Sequence, residues 1–324
     1  MNRIIWLDKL KAVAIFLVIW GHIIINCISY EQKYRIAGLI YSIHIPLFLI
    51  ISGILVNKKS IKDTIKNVFN KFLIPYVSWC IILSAFYIGM KLFQIELLGE
   101  NLTIITEGIF HNFLWFIKAY VISYLLYQFL PFNNIIKCLS VLTLLFIANI
   151  VYINNSNLAE LFSLSLYTYS FFSIATVFKK KITNVHLYGV MFLLLFLLLV
   201  PFATWQNNYF VASFKHIYDY NEWYIYIVRL LLGFSISVAL ISLKDIPSLN
   251  FETITSKIGK ETLSIYMLQS LLVEAVLPRI ITIDKFPIGI VYSFLISICM
   301  LFICYYCVIL LKRIKFVNMI LFGF

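Results

Sequence analysis

Long apolar runs separated by short polar segments dominate this sequence of 324 residues. A membrane-spanning helix needs about 20 mostly apolar residues, and ten segments of the chain meet that condition. The pattern therefore predicts an all-α polytopic membrane protein with about ten transmembrane helices. The predicted spans are residues 10–28, 37–56, 70–93, 113–131, 135–153, 159–177, 184–202, 223–243, 262–281 and 288–311.

Composition strengthens this assignment. Hydrophobic residues make up 62% of the chain and charged residues 12%, whereas a soluble domain is about 25% charged. The net charge of +12 does not indicate a nucleic-acid partner, because the basic residues form short clusters between apolar runs and no continuous stripe. The expected partner is the lipid bilayer.

The distribution of basic residues predicts the orientation. With the N-terminus in the cytoplasm, 18 of the 26 lysines and arginines fall in inner segments and six in outer loops. This bias agrees with the positive-inside rule. We therefore expect both termini in the cytoplasm and a multi-pass protein of the plasma membrane. The outer loops are too short to fold separately, so residues 1–324 are expected to form one membrane domain.

The cysteines predict neither a disulfide framework nor a metal site. Cys299, Cys304 and Cys307 have a spacing similar to that of iron–sulfur ligands, but they lie in one hydrophobic helix without other ligands. Packing or lipid-facing thiols are the expected role.

Titratable residues fall within the predicted spans at similar depths. His22 lies six residues before the outer end of its span and His44 seven residues into the next, which places both about 10 Å below the outer surface. Lys118, Arg229 and Glu274 also fall in the outer halves of their spans. Buried titratable groups are costly in a bilayer and tend to line polar cavities. They predict a polar layer near the outer face.

Each of these residues also has a structural interpretation. His22 could simply hydrogen-bond to a neighbouring helix, and Lys118 and Arg229 could extend to the interface. Glu274 could pair with Arg229 or lie at the interface itself. The sequence leaves these alternatives open.

The cytoplasmic side carries a second polar group. Arg3, Asp8 and Lys11 precede the first span, where Arg3 and Asp8 could form an ion pair. The inner loop at 58–71 contains five lysines. These lysines are either a topology signal or a site that attracts phosphates.

Several blocks of the sequence resemble the membrane acyltransferase 3 family over essentially the whole chain. The two most specific are Arg3-x4-Asp8-x2-Lys11-Ala12-x-Ala14-Ile15-x2-Val18-x2-Gly21-His22 and Ser42-Ile43-His44-Ile45-Pro46-Leu47-Phe48-x3-Ser52-Gly53. Weaker ones are Lys71-Phe72-Leu73-Ile74-Pro75-Tyr76, Leu114-Trp115-Phe116 and Gly259-x3-Leu263-x2-Tyr266. Lys11 and the His44 block resemble the branch of fucose 4-O-acetylases and polysaccharide O-acetyltransferases.

The resemblance implies transfer of an acyl group, usually acetyl from acetyl-CoA, to a hydroxyl of an extracytoplasmic glycan. It implies that His22 is catalytic, that Arg3, Asp8 and Lys11 form the cytoplasmic entrance, and that Lys71 helps to bind coenzyme A. Gln269 stands where many members have a histidine, so a structural or substrate-contacting role is expected there. No metal is implied.

The chemistry of acyl transfer to an alcohol agrees with this layout. A hydroxyl needs a general base, and histidine suits that role because its unperturbed pKa is about 6.5. His22 is therefore the predicted base, with His44 as a second catalytic candidate. The candidates for substrate contact or oxyanion stabilisation are Trp115, Lys118, Arg229, Gln269 and Glu274.

One alternative from another class uses the same polar layer. A transporter or exporter of a lipid-linked glycan or small metabolite would need a translocation path there. Many transporters are built from internal repeats with broken helix pairs, and this sequence contains no evident repeat. Acyl transfer is therefore preferred, with an acyl-CoA donor, a glycan acceptor and polysaccharide-synthesis machinery as the expected partners.

Overall fold

The computed structural model describes residues 4–30, 33–92, 114–129, 157–177, 179, 188–204, 223–245, 251–284 and 287–323. These residues are helical apart from short connections, and a single bridge between Ile28 and Ile283 is the only β pairing among them. The helices are α1 Ile5–Cys27, α2 Lys33–Leu55, α3 Ile61–Val68, α4 Ile74–Leu92, α5 Trp115–Phe129, α6 Asn157–Val177, α7 Gly189–Thr204, α8 Trp223–Ser242, α9 Ile254–Lys260, α10 Thr262–Gln269, α11 Ile288–Lys312 and α12 Lys315–Phe322. π-helical segments Phe69–Leu73 and Ser270–Val276 continue α3 and α10, and 3-10 turns cover Leu243–Asp245 and Leu277–Arg279.

The predicted all-α polytopic membrane architecture is confirmed. Within the described residues, four helices are long and apolar enough to cross a bilayer, namely Ile5–Cys27, Ile36–Leu55, Ile61–Met90 and Ile288–Lys312. The other predicted spans overlap further described helices, except 135–153, which lies outside the described residues. The number of ten spans stays a prediction.

Helix α1 lies at the centre of the bundle. It packs against α2 on one side and against α9, α10 and α11 on the other. Ile15, Ile19 and Ile23 are fully buried along its length, as expected of a mostly apolar helix inside a bundle. This central position surrounds the polar residues of α1 with neighbouring helices.

Helices α1 and α2 run antiparallel. Leu7 and Leu10 near the start of α1 share a hydrophobic cluster with Ile54 near the end of α2. At the opposite end, His22 of α1 meets Tyr41 near the start of α2. His22 and Tyr41 therefore lie at the same end of the two helices.

The far end of α1 is fixed to the segment that follows α10. Ile283 donates its backbone N–H to the Cys27 carbonyl at 2.8 Å, and the Ser29 hydroxyl donates to the Asp284 carboxylate at 2.7 Å. Lys33, the first residue of α2, also binds this end of α1, because its ammonium donates to the Ile25 and Ile28 carbonyls. Burial lowers the pKa of Lys33. These contacts place residues 28 and 283 at one end of the bundle.

The end of α1 that carries the basic residues is held close to α9 by a glycine. A Cβ atom at Gly259 would lie 1.7 Å from the backbone oxygen of Asp8. Only glycine permits this approach, since small residues let membrane helices pack backbone to backbone. Lys11 of α1 and Lys260 of α9 both line the same cavity, and Lys260 also pairs with Glu252 at 3.3 Å.

The C-terminal helix α12 lies beyond the last predicted span, 288–311, and was not predicted. Helix α12 folds back against α4: the indole N–H of Trp79 donates to the Leu321 carbonyl at 2.9 Å. Phe322 is fully buried beside Trp79, with ring centroids 6.3 Å apart. Gly323 ends the helix with φ of 73°, a conformation that glycine adopts readily.

Candidate active site

A cavity of about 240 Å³ lies among α1, α2, α5, α9 and α10. Lys11 and Lys260 line one end, which we name the basic end, and His22 and Glu274 line the other, which we name the histidine end. Eleven residues separate Lys11 from His22, so the cavity follows α1 for about 16 Å. The walls between the ends are largely aromatic, from Phe48, Phe72, Trp115, Phe116, Tyr120 and Tyr266.

His22 and Glu274 face each other at the histidine end. Nε2 of His22 lies 3.6 Å from Oε1 of Glu274. This gap exceeds a normal hydrogen bond, but catalytic hydrogen bonds often tighten only when substrate binds. On the other side of the ring, the Tyr41 hydroxyl lies 3.4 Å from Nδ1 of His22. His22 is thus held between a carboxylate and a phenol.

A π-helical segment places Glu274 for this contact. In an α-helix, residues five apart point about 140° away from each other. In Ser270–Val276 the backbone pairs residues five apart, as in the bond from the Leu277 N–H to the Leu272 carbonyl. Residues five apart then stack, and the buried Gln269 amide donates to Glu274 Oε1 at 2.7 Å. π segments are frequent at functional sites.

His44 lines the same cavity as His22. Its Nδ1 lies 2.8 Å from the Ile40 carbonyl one turn earlier on α2. Tyr41 stands between the two histidines, with ring centroids 6.0 Å from His22 and 4.9 Å from His44. One aromatic ring therefore contacts both.

Of the predicted entrance residues, Lys11 lines the basic end of the cavity. Lys11 pairs with Asp8 at 3.1 Å, whereas Arg3 lies outside the described residues. Lys71 is exposed on the π segment Phe69–Leu73 and is not among the residues that line the cavity; its neighbour Phe72 is. The structure thus brings Lys11, but not Lys71, to the cavity.

Some of the residues predicted to contact substrate or stabilise the oxyanion line the cavity, and others do not. Trp115 lines the cavity and Lys118, one turn later on α5, is not among its lining residues. The side chain of Arg229 lies outside the described residues, so its predicted pairing with Glu274 is not addressed. Among described residues, Glu274 contacts His22 and Gln269.

Backbone strain occurs directly before Trp115. Leu114 has φ of 52° and is buried, a left-handed conformation that is unfavourable for a branched side chain. Its carbonyl accepts the Ile117 N–H at 2.9 Å, which begins α5. Strain of this kind is often concentrated at functional sites, and here it sets the entry of Trp115 and Phe116 into the cavity wall.

Sequence analysis did not identify Tyr41 or Lys260 as site residues. One feature of the sequence could have identified Tyr41: it lies three residues before His44 and so shares its helix face. Lys260 had none, because it belongs to a group of inner basic residues that all satisfy the positive-inside rule.

Apolar helices around a buried cavity, with a histidine and a carboxylate paired at one end, define an integral membrane protein with a candidate acid–base site. The chain matches the family model described as an acyltransferase domain, that of the acyltransferase 3 family, over residues 4–312. The protein belongs to this family and is a membrane acyltransferase. No curated protein and no solved structure matches the chain.

Proposed function

We propose that the protein transfers an acyl group, acetyl in the first instance, from cytoplasmic acyl-CoA to a hydroxyl of an extracytoplasmic glycan. The observation that carries this proposal is that one cavity is lined by Lys11 and Lys260 at one end and by His22 and Glu274 at the other. The positive-inside rule assigns the basic end to the cytoplasm. Donor and acceptor would then reach one reaction centre from opposite sides of the plasma membrane.

The basic end suits the donor. Coenzyme A carries several phosphate charges and a long, thin pantetheine arm. The ammonium groups of Lys11 and Lys260 attract phosphates at the mouth, and the aromatic walls accommodate the arm. Asp8 holds Lys11 through their ion pair. Lys71, which is exposed, would act only on the part of the donor that remains outside the cavity.

The His22–Glu274 pair supplies the base. A carboxylate only accepts hydrogen bonds, so Glu274 favours the tautomer of His22 with hydrogen on Nε2. The lone pair then lies on Nδ1, on the side of the Tyr41 hydroxyl. In this proposal Nδ1 takes the proton of the acceptor hydroxyl, and Glu274 stabilises the imidazolium that forms.

The reaction balances with these groups alone. The deprotonated oxygen attacks the thioester carbonyl carbon, and a C–O bond forms as the C–S bond breaks. The proton on His22 Nδ1 passes to the departing sulfur, which leaves an ester and free coenzyme A. Trp115, which lines the cavity, is better placed than Lys118 to donate a hydrogen bond to the oxyanion.

The decisive experiment replaces the base. His22→Ala should abolish transfer of labelled acetyl from acetyl-CoA to surface glycans while leaving membrane insertion intact. Cys299→Ala, at an exposed position on α11, is the control and should keep wild-type transfer. Retention of transfer by the His22 variant would refute the assignment.

The acceptor is proposed to be a cell-surface polysaccharide, in line with the resemblance to polysaccharide O-acetyltransferases. Mass spectrometry of surface glycans from cells with and without the protein tests it. A loss of 42 mass units per sugar, on the order of one acetyl ester, would support acetyl transfer. Membership of an acyltransferase family favours acyl transfer over the transporter alternative.

A further inference from the structure

His44 has a defined tautomer. Its side chain is 3% exposed, and Nδ1 lies 2.8 Å from the Ile40 carbonyl. A carbonyl oxygen cannot donate, so the hydrogen of this bond belongs to Nδ1. In the neutral ring the lone pair then lies on Nε2, and a buried ring is costly to charge. His44 therefore offers an acceptor, and no donor, to a ligand in the cavity.

This tautomer excludes two roles for His44. An oxyanion must receive a hydrogen bond, and Nε2 has no hydrogen to give. A leaving group must receive a proton, which Nε2 does not hold. The group that His44 recognises must bring its own N–H or O–H.

The position of His44 along the cavity indicates whether it meets an N–H of the acyl donor or an O–H of the acceptor. Helix α2 runs from the histidine end towards the basic end, and His44 lies three residues after Tyr41. It is therefore displaced about 4.5 Å towards the basic end from the level at which Tyr41 meets His22. A ligand group beside His44 lies on the side from which the donor enters.

The pantetheine arm of the acyl donor has an amide N–H at a similar distance from its thioester carbon. Two methylene groups separate the thioester sulfur from the first amide nitrogen, which places that nitrogen about 5 Å from the thioester carbon at ordinary bond lengths. When the thioester carbon is beside His22 and Tyr41, the amide is at the level of His44. An acceptor hydroxyl approaches from the other side of the carbon.

We infer that Nε2 of His44 accepts a hydrogen bond from the amide N–H of the donor nearest the thioester. The inference rests on the proposed function. It makes His44 a residue that positions the donor and selects for pantetheine thioesters, and it separates His44 from the base His22.

Two small donors that differ in one atom group test this inference. One is the acetyl thioester of N-acetylcysteamine, which retains the amide; the other is its ester analogue, in which oxygen replaces the N–H. Release of free thiol is followed in membranes that contain the native acceptor, after subtraction of the His22→Ala background. The ratio of kcat/KM for the two donors is the measured quantity.

Wild-type protein should prefer the amide donor on the order of tenfold, since the ester leaves Nε2 unsatisfied. His44→Phe should reduce this preference to the ratio of intrinsic reactivities, and His44→Gln, which retains an acceptor oxygen, should keep part of it. Cys299→Ala, at an exposed position on α11 outside the cavity lining, is the control and should keep the preference. His44→Leu replaces His44→Phe if the larger ring prevents folding, as judged by size-exclusion chromatography.

Two results would overturn the inference. An unchanged preference in the apolar variants would show that the amide binds elsewhere. An unchanged preference combined with a raised KM for the acceptor would show that His44 binds the acceptor hydroxyl. If the wild-type protein consumes neither acetyl-CoA nor either analogue, the proposed function itself fails and the inference fails with it.

Discussion

The Glu274 carboxylate lies 3.6 Å from Nε2 of His22, although the two residues are 252 positions apart in the chain. The same oxygen, Oε1, also accepts the Gln269 amide at 2.7 Å. Gln269 thus orients Glu274, and Glu274 is placed to orient His22. The chain positions its candidate base through a carboxylate in the same way as other acid–base sites in which a third group holds the histidine.

Glu274→Gln should lower kcat about 100-fold, because the amide retains the shape of the carboxylate but cannot stabilise a charged His22. The KM for acetyl-CoA should change little, since Glu274 lies at the opposite end of the cavity from Lys11 and Lys260. Steady-state kinetics with acetyl-CoA measure both. Asp284→Asn is the matched control, because this carboxylate is exposed and bonds to Ser29 away from the cavity; equal effects of both substitutions would contradict the proposed pair.

Lys11→Glu should weaken acyl-CoA binding more than acceptor binding, because it places a like charge beside the donor phosphates. We expect a rise in the donor KM on the order of tenfold at low salt and a smaller rise at high salt, where screening is stronger. Lys62→Glu makes the same charge change on the exposed face of α3 and should have a much smaller effect. An equal loss of donor and acceptor affinity in Lys11→Glu would count against the entrance role.

Gly259→Ala should separate α9 from α1, because the new Cβ would lie 1.7 Å from the Asp8 oxygen. Overpacking of this kind costs about 1–3 kcal/mol, and donor binding should weaken as Lys260 moves away from Lys11. Gly89→Ala is the matched control: a Cβ there meets nothing within 4 Å, and alanine favours the helix by about 0.5–1 kcal/mol. Thermal unfolding in detergent compares the two, and equal midpoints would refute the close contact.

Phe322→Ala should destabilise the protein by about 3–5 kcal/mol, the usual cost of truncating a buried phenylalanine. Phe316→Ala, on the same helix α12, removes a ring that is 67% exposed and should cost far less. The emission of Trp79, which packs against Phe322, should shift to longer wavelength only in the first variant, measured in a background without other tryptophans. Identical spectra in the two variants would show that α12 does not cover Trp79.

The polar residues of the spans show what local sequence can predict and what it cannot. The equal depths of His22 and His44 follow from the lengths of two apolar runs, and the structure places both residues in one cavity. The partner of Glu274 does not follow from such counting. Depth fixes the level of a side chain but not the direction in which it points, so it does not show that Glu274 meets His22.

The sequence by itself determined the helical membrane class, the separation of a basic side from a histidine-bearing side, and the resemblance to the acyltransferase 3 family. These properties depend on the hydropathy and charge of short segments against a bilayer of fixed thickness, so they need no knowledge of neighbours. Only the tertiary structure decided that Glu274 meets His22 through a π segment, that Tyr41 lies between the histidines, that Lys260 rather than Lys71 joins Lys11 at the cavity, and that α12 folds back onto α4. Each depends on how helices are rotated and how closely they approach, which is set by contacts between residues far apart in the chain.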